Sequence, residues 1–174
     1  MTGLEIKKEA EQYIEEYIDD PDALVFINRC LNMIGDQAQI YEERWGDVTE
    51  VNEWIELPPT TTHVRKVEKI ENGERKLYFD YEVVDNRIRF RHPGRYHIFY
   101  RRLPKPLAGI LDTPEVHPAF HSVLVTGLIA LWKLKDDDEN PDGIRHFQLF
   151  MELTLRVANS LTRVRTPNVV KVIR

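Results

Sequence analysis

The sequence predicts an α+β fold: a four-helix bundle core, a small antiparallel β-sheet subdomain inserted into it, and an extended C-terminal tail. Three observations predict it. Apolar residues recur at steps of three and four through the first 45 residues and again after residue 113, the period of amphipathic helices. Between residues 48 and 104 the pattern changes to period-two alternation broken by turn dipeptides, the signature of short antiparallel strands. The last segment, residues 163–174, is basic and β-branched and contains no acid. The predicted organisation is a helical core over 1–47 and 105–162, a β subdomain over 48–104 and a docking tail over 163–174.

Helix one is expected over Leu4 to Ile18, with Ile6, Ala10, Tyr13, Ile14 and Tyr17 on one side and glutamates on the other. Asp19-Asp20-Pro21-Asp22 ends it and starts the next helix, with an aspartate cap, proline in the first turn and acid where the helix dipole favours it. Helix two then shows Leu24, Ile27, Leu31, Ile34, Ala38, Tyr41 and Trp45, a seam that Gly46-Asp47 would close. Cys30 falls inside this apolar pattern and reads as a buried, inert thiol; a single cysteine excludes an intramolecular disulfide.

The β section begins with Val51 to Leu57, which alternates, and Pro58-Pro59, which stops it. His63 to Ile70 is a second strand, and Asn72-Gly73 is a hairpin turn leading to Lys76-Leu77-Tyr78-Phe79. Asp85-Asn86 is a weaker turn signal. After it, Ile88 and Phe90 alternate with Arg87, Arg89 and Arg91, Pro93-Gly94 supplies a turn, and Tyr96 to Leu103 is rich in aromatic and branched residues. This stretch is expected to be a β-hairpin. It carries six arginines, at 87, 89, 91, 95, 101 and 102, which would serve as a nucleic-acid face, a docking face for acid, or a solvated sheet surface.

Pro104-Lys105-Pro106 leads back to helix. His117-Pro118 opens Ala119 to Trp132, which is apolar nearly all round and therefore expected to be buried on most sides. The acidic loop Asp136 to Gly143 precedes a fourth helix from about Ile144 to Leu161, whose inward face would be Phe147, Met151, Thr154, Ala158 and Leu161. The tail that follows is too short to fold alone, yet Val169, Val170, Val172 and Ile173 are costly to leave in water. It is expected to dock on a partner.

Charge is segregated along the chain. Residues 1–50 carry 4 basic and 13 acidic side chains, 51–110 carry 12 and 8, and 111–174 carry 8 and 8, within a net charge of −5. Such polarity favours association of one copy's acidic part with another's basic part, and argues against a dedicated duplex-DNA binder. The N-terminal stretch MTGLEIKKEAEQ has no apolar core of the signal-peptide kind, and Val123 to Trp132 is well short of the roughly 20 residues a membrane span needs. A soluble intracellular product is expected.

Candidate chemistry is sparse. His117 and His121 are four apart on one helical face, with Glu115 and His146 as further conceivable ligands, but a cap histidine followed by a packing histidine explains the pair equally well. Asp138-x-Asn140-x-Asp142-Gly143 matches the first half of a calcium loop; Leu149 stands where the bidentate acid belongs, and Pro141 distorts the middle. Phosphate-binding glycine loops, nucleophile elbows and Cys/His nucleophile arrangements are absent from the sequence, so neither an enzyme nor a cofactor is expected.

Trp54-x-Glu56-Leu57-Pro58, then Gly94-x-Tyr96-x-Ile98-x-Tyr100-x-Arg102-Leu103-Pro104, then Val116-His117-Pro118-Ala119-Phe120-His121 opening an apolar helix and an acidic loop before a last helix, follow two N-terminal helices. In this order and spacing, over roughly residues 5 to 162, the chain resembles the head-to-tail adaptor (connector) proteins of tailed bacteriophages. The resemblance implies a structural protein of the virion neck, made in the host bacterial cytoplasm, that forms a ring, usually dodecameric, under the portal. A free adaptor of this kind can remain monomeric before assembly. The implied partners are the portal protein, the next neck or tail component and further copies of the chain, with genomic DNA passing through the channel without sequence recognition and no membrane involved. Carried onto this sequence, the portal-contacting tail comprises Arg163, Val164, Arg165, Val169, Val170, Lys171, Val172, Ile173 and Arg174. Helices two and three would be bundle and ring-forming elements, and Arg87, Arg89, Arg91 and Arg95 a subunit-contact or channel face. The alternative is a small DNA-binding protein using the arginine-rich hairpin and the basic tail. The large β insert departs from the simplest all-helical adaptors.

Overall fold

The computed structural model describes residues 1–165. The chain forms two compact units, one from residues 1–38 and 106 onward, the other from 39–105. Among the described residues the first holds four α-helices and the second seven strands in two antiparallel sheets. This corrects the expected four-helix bundle core with a small inserted sheet: the fold is α+β, with few helices and substantial sheets.

In the first unit, α1 spans Gly3–Ile14, opened by a reciprocal cap in which Thr2 Oγ1 accepts from the Glu5 amide while Glu5 accepts from the Thr2 amide. It stops earlier than the sequence pattern suggested because Glu15 turns left-handed at φ 59°. Helix α2, Asp20–Ile34, starts as expected on Asp19, whose carboxylate accepts from the Asp22 amide at 2.9 Å. It ends at Gly35, φ 47°, followed by a 3-10 turn over Gly35–Ala38.

Helix α3, His121–Lys133, is the hub: α1, α2 and α4 (Pro141–Arg165) all pack on it. Its buried residues run from His121 through Val123, Leu124, Val125, Gly127, Leu128, Ile129, Ala130 and Leu131. Gly127 marks the tightest approach, since a Cβ there would lie 2.6 Å from Cys30 Sγ on α2 and 2.8 Å from the Phe150 ring on α4. Burial pushes the Cys30 thiol up to about 12, so it remains protonated and unreactive. The segment before α3 is fixed by Asn28, whose amide donates to the Leu107 carbonyl at 3.0 Å and accepts from its amide at 2.7 Å.

On α4 the inward residues are Phe147, Phe150, Thr154, Ala158 and Leu161. Met151, expected inside, is exposed; Phe150 takes its place because its ring fills the space beside Gly127.

The second unit begins with β1, Ile40–Val48, where the sequence pattern suggested the end of helix two. It pairs antiparallel with β7, Gly94–Arg102, from Ile40↔Arg102 to Val48↔Gly94. Between them in sequence lie β2 (Trp54–Glu56), β3 (Thr61–Glu71), β4 (Glu74–Leu77), β5 (Tyr81–Val84) and β6 (Arg87–Phe90). One sheet has the order β1-β7-β3-β4 and the other β2-β6-β5. Asn72 and Gly73, at φ 54° and 83°, form the two-residue turn between β3 and β4, with Glu71 opposite Glu74.

The expected hairpin through Pro93-Gly94 is not a hairpin. Its first arm, β6, lies between β2 and β5, and its second, β7, lies between β1 and β3 in the other sheet. The two arms alternate as strands but pair with other partners. Ile88 and Phe90 from one sheet and Tyr96, Ile98 and Tyr100 from the other point into one core with Val48, Leu57, Val64 and Val67. Phe90 stacks on Tyr96 with centroids 3.9 Å apart, and Tyr96 Oη donates to the His92 carbonyl at 2.6 Å, closing the corner.

Gly127→Ala is expected to destabilise the protein by about 1–3 kcal/mol through overpacking. Adding Cys30→Ala should relieve part of the clash, so thermal unfolding of the double variant will show less than the additive loss.

Candidate functional site

The four arginines predicted as a subunit-contact or channel face are spread over both sheets, Arg87 and Arg89 on β6, Arg91 just beyond it and Arg95 on β7. Arg87 and Arg89 lie over the Trp54 ring, 5.3 and 5.0 Å from its centre, on the three-stranded sheet. Arg89 is ion-paired to Glu82 on the neighbouring strand. Arg91 follows the end of β6, and its Nε lies 3.3 Å from Asp80, which also meets His92 at 3.4 Å. Arg95 belongs to β7 on the other sheet, over Trp45 and 3.8 Å from Asp47. Arg89, Arg91 and Arg95 thus have carboxylates within their own chain.

A second cationic surface, not anticipated from sequence, is the outer face of the four-stranded sheet. Register places Tyr41 opposite Arg101, Glu43 opposite Phe99, Trp45 opposite His97 and Asp47 opposite Arg95. On β3 the register shifts between Val64 and Lys66. Val64 and Val67 both face the core, three residues apart where regular alternation needs two, so Arg65 and Lys66 are both turned outward. Arg65 and Arg101 lie over Tyr41 at 5.1 and 5.5 Å, and Arg75 and Arg95 over Trp45 at 5.3 and 5.1 Å.

At the centre of this face His97 is buried under Trp45, stacked at 4.0 Å with the planes 9° apart. Its Nε2 is 3.0 Å from Glu43 Oε2 without the geometry of a hydrogen bond. The Lys66 ammonium beside Glu68 holds that carboxyl below the usual carboxylate range. On the opposite face, buried Arg102 reaches Glu42 at 2.7 Å and Tyr100 Oη donates to the same carboxylate at 3.1 Å. These contacts, with Arg102 the larger, depress the Glu42 pKa, while burial and the adjacent carboxylate raise that of Tyr100.

In the helical unit, the residues once considered as metal ligands have structural duties. His117 Nδ1 accepts from the Ala119 amide at 3.2 Å, and His121 Nδ1 meets the Met1 amino group at 2.9 Å. His146 packs edge-on to Tyr13 at 5.6 Å, in an open groove of about 370 Å³ with Asp142, Arg145 and Leu149. Among the described residues no group of three or more His, Cys, Asp or Glu is placed to hold a metal ion. Asn140 of the acidic loop caps α4, its Oδ1 accepting from the amides of Asp142 and Gly143 at 3.0 and 3.1 Å. Asp142 is ion-paired to Lys133.

The outward side of α4 carries an apolar row: Ile144, Met151 and Leu155, at steps of seven and four, are 41%, 41% and 51% exposed. Arg163, Val164 and Arg165 of the predicted docking tail continue this helix. Val169, Val170, Lys171, Val172, Ile173 and Arg174 lie outside the described residues. Among the described residues no helix is long and apolar enough to cross a membrane.

A carboxyl with a depressed folded-state pKa stabilises above its unfolded value, near ~4.3, and that stability is lost as pH falls through the folded value. Glu42→Gln should therefore cost about 1–2 kcal/mol near neutral pH, a value reduced for partial exposure. The variant should also lose less stability than the wild type when denaturant melts are repeated below ~pH 4.

No protein-family model matches the chain, and no curated protein matches it.

Proposed function

We propose that this chain is a structural head-to-tail adaptor of a tailed bacteriophage. It forms a ring under the portal, extends the DNA channel and joins it to the next neck or tail component. The role is structural and not enzymatic, and its place is the virion neck, after synthesis in the host bacterial cytoplasm. DNA passes the ring without sequence recognition.

The observation that carries this reading is the apolar row on α4. Ile144, Met151 and Leu155 line one side of a 25-residue helix and are left in solvent in a single chain. A contiguous apolar surface of this kind suits burial against another protein. Rows spaced seven and four apart suit lengthwise packing against a helix of an adjoining copy in a ring. The motif order that carries the adaptor resemblance supports the same reading: Trp54 to Pro58 falls on β2 and the turn after it, Gly94 to Pro104 on β7, and Val116 to His121 at the start of α3.

The tail from Arg163 to Arg174 is assigned to portal contact. Its first three residues extend α4, so docking by the remainder would continue from the helix that bears the apolar row. The DNA-binding alternative would use the arginines of residues 87–95, of which Arg89, Arg91 and Arg95 already face Glu82, Asp80 and Asp47 within the chain.

Two variants test the reading by capture of a candidate phage portal protein. Deleting residues 164–174 should leave thermal unfolding unchanged and abolish capture; undiminished capture would remove the tail from its assigned role. Met151→Asp combined with Leu155→Asp, at exposed positions where substitutions change stability by only about 0.5 kcal/mol each, should block multi-copy loading on the portal. Full loading by that variant would overturn the role of α4.

A further inference from the structure

The outer face of the four-stranded sheet holds arginines that form no close ion pair among the described residues, although Arg75 is near enough to help lower the pKa of Glu68. Among the described residues, no carboxylate oxygen lies within 4.0 Å of Arg65, Arg75 or Arg101, although Lys66 has Glu68 and Arg95 has Asp47. Each of these three guanidinium groups is held over an aromatic ring, Arg65 and Arg101 over Tyr41 and Arg75 over Trp45. A guanidinium stacked on a ring uses one of its flat faces and keeps in-plane N–H donors available for carboxylates or phosphates; Arg101 gives one of its donors to Tyr41 Oη at 3.3 Å and keeps the others. The rings themselves are occupied, since Trp45 is stacked on His97 and covered by Arg75 and Arg95, so nucleobases find no open π-face there. The surface is built to take fixed anions.

The same chain carries the complement. Residues 1–38 hold nine acidic and three basic side chains. One of those bases, Lys7, is buried and already bound to Asp20 and Glu11. Glu9 on α1 and Glu15 at its end are exposed and have no cation within 4.0 Å among the described residues. The chain's net charge of −5 repels a polyanion such as DNA as a whole, but leaves a local cationic face free to attract a local anionic one.

We propose that this sheet face docks the acidic first helix of a second copy of the chain, with Arg65, Arg75 and Arg101 taking the carboxylates of α1 and its end, Glu9 and Glu15 among them. Two different patches then meet in every contact, which is the heterologous geometry that closes into rings. The proposal rests on the adaptor reading and names the contact through which neighbours recognise one another.

The test uses three full-length proteins: wild type, Arg65→Glu/Arg75→Glu/Arg101→Glu, and Glu9→Lys/Glu15→Lys. Sedimentation velocity at high protein concentration is run in about 10 mM salt and in about 0.5 M, where screening shortens from ~30 Å to a few Å. Wild type should associate at low salt and dissociate at high salt. Each variant alone should associate at least about tenfold more weakly, and an equimolar mixture should recover association because opposite charges again face each other across the contact. If the triple glutamate variant fails to fold by circular dichroism, Arg65→Gln/Arg75→Gln/Arg101→Gln replaces it, with the same loss expected.

Wild type that stays monomeric at low salt, variants that associate like wild type, or a mixture that does not recover each overturns the proposal. Retardation of a DNA fragment by wild type, lost in the arginine variant and without self-association, overturns it in favour of phosphate binding. Loading of wild type on the portal, measured separately, reports on the adaptor reading: loading without helix-to-sheet association leaves that reading standing and removes only this contact.

Discussion

The β unit depends on one aromatic corner. Phe90 and Tyr96 are six residues apart, belong to different sheets, and stack face to face at 3.9 Å with neither exposed to solvent. A stacked aromatic pair contributes roughly 0.5–1.5 kcal/mol beyond the burial of its area. Its larger consequence is geometric: it forces the chain between Arg91 and Gly94 to carry β7 away from β6 and into the second sheet. Tyr78 and Tyr81 pack around the same pair, at 5.0 Å from Tyr96 and 6.4 Å from Phe90 respectively. Because β7 is the strand that joins β1 to β3, the corner also places the cation-bearing outer face of the four-stranded sheet.

The helical unit has its own constraint in Gly127. Only the absence of a side chain lets Cys30 and Phe150 approach α3 from two sides, and that approach sets the rotation of α4. With Phe150, Thr154 and Ala158 turned inward, Ile144, Met151 and Leu155 must face solvent, since they lie about a quarter-turn or more around the helix. The exposed apolar row therefore follows from the way the core is filled.

The parts of the fold legible in the sequence are those where local chemistry decides. Asn72-Gly73 adopts two positive φ values and so announces its turn; Asp19 with Pro21 announces α2; the all-round apolar α3 announces its burial. Tyr41 and Trp45 misled because a spacing of four returns to the same side in both a helix and a strand, so the pattern could not distinguish α2 continuing from β1 beginning. Gly35 and Gln39, at φ 47° and 51°, are where the chain leaves the helical path, and glutamine carries no such signal. Pro93-Gly94 misled because a turn dipeptide says that the chain reverses but not whether the two arms pair. The cationic sheet face was illegible for a related reason. Arg65 and Arg101 meet over Tyr41 only through cross-strand register, and Arg65 points outward only because of a bulge that the Val64 to Val67 spacing records after the fact.

Set side by side, the two units of one chain present complementary kinds of surface: an acidic first helix and an apolar last helix on one, and a face of aromatic-backed arginines on the other. On the proposed ring reading, the exposed apolar row and the ring-backed arginines would each meet a neighbouring protein surface. Electron cryomicroscopy of the protein mixed with a candidate phage portal protein tests this most directly. The account predicts a closed ring of copies on the portal, with Ile144, Met151 and Leu155 covered by an adjoining protein surface. Portal particles with no added ring, or copies bound singly with the α4 row left in solvent, would contradict it.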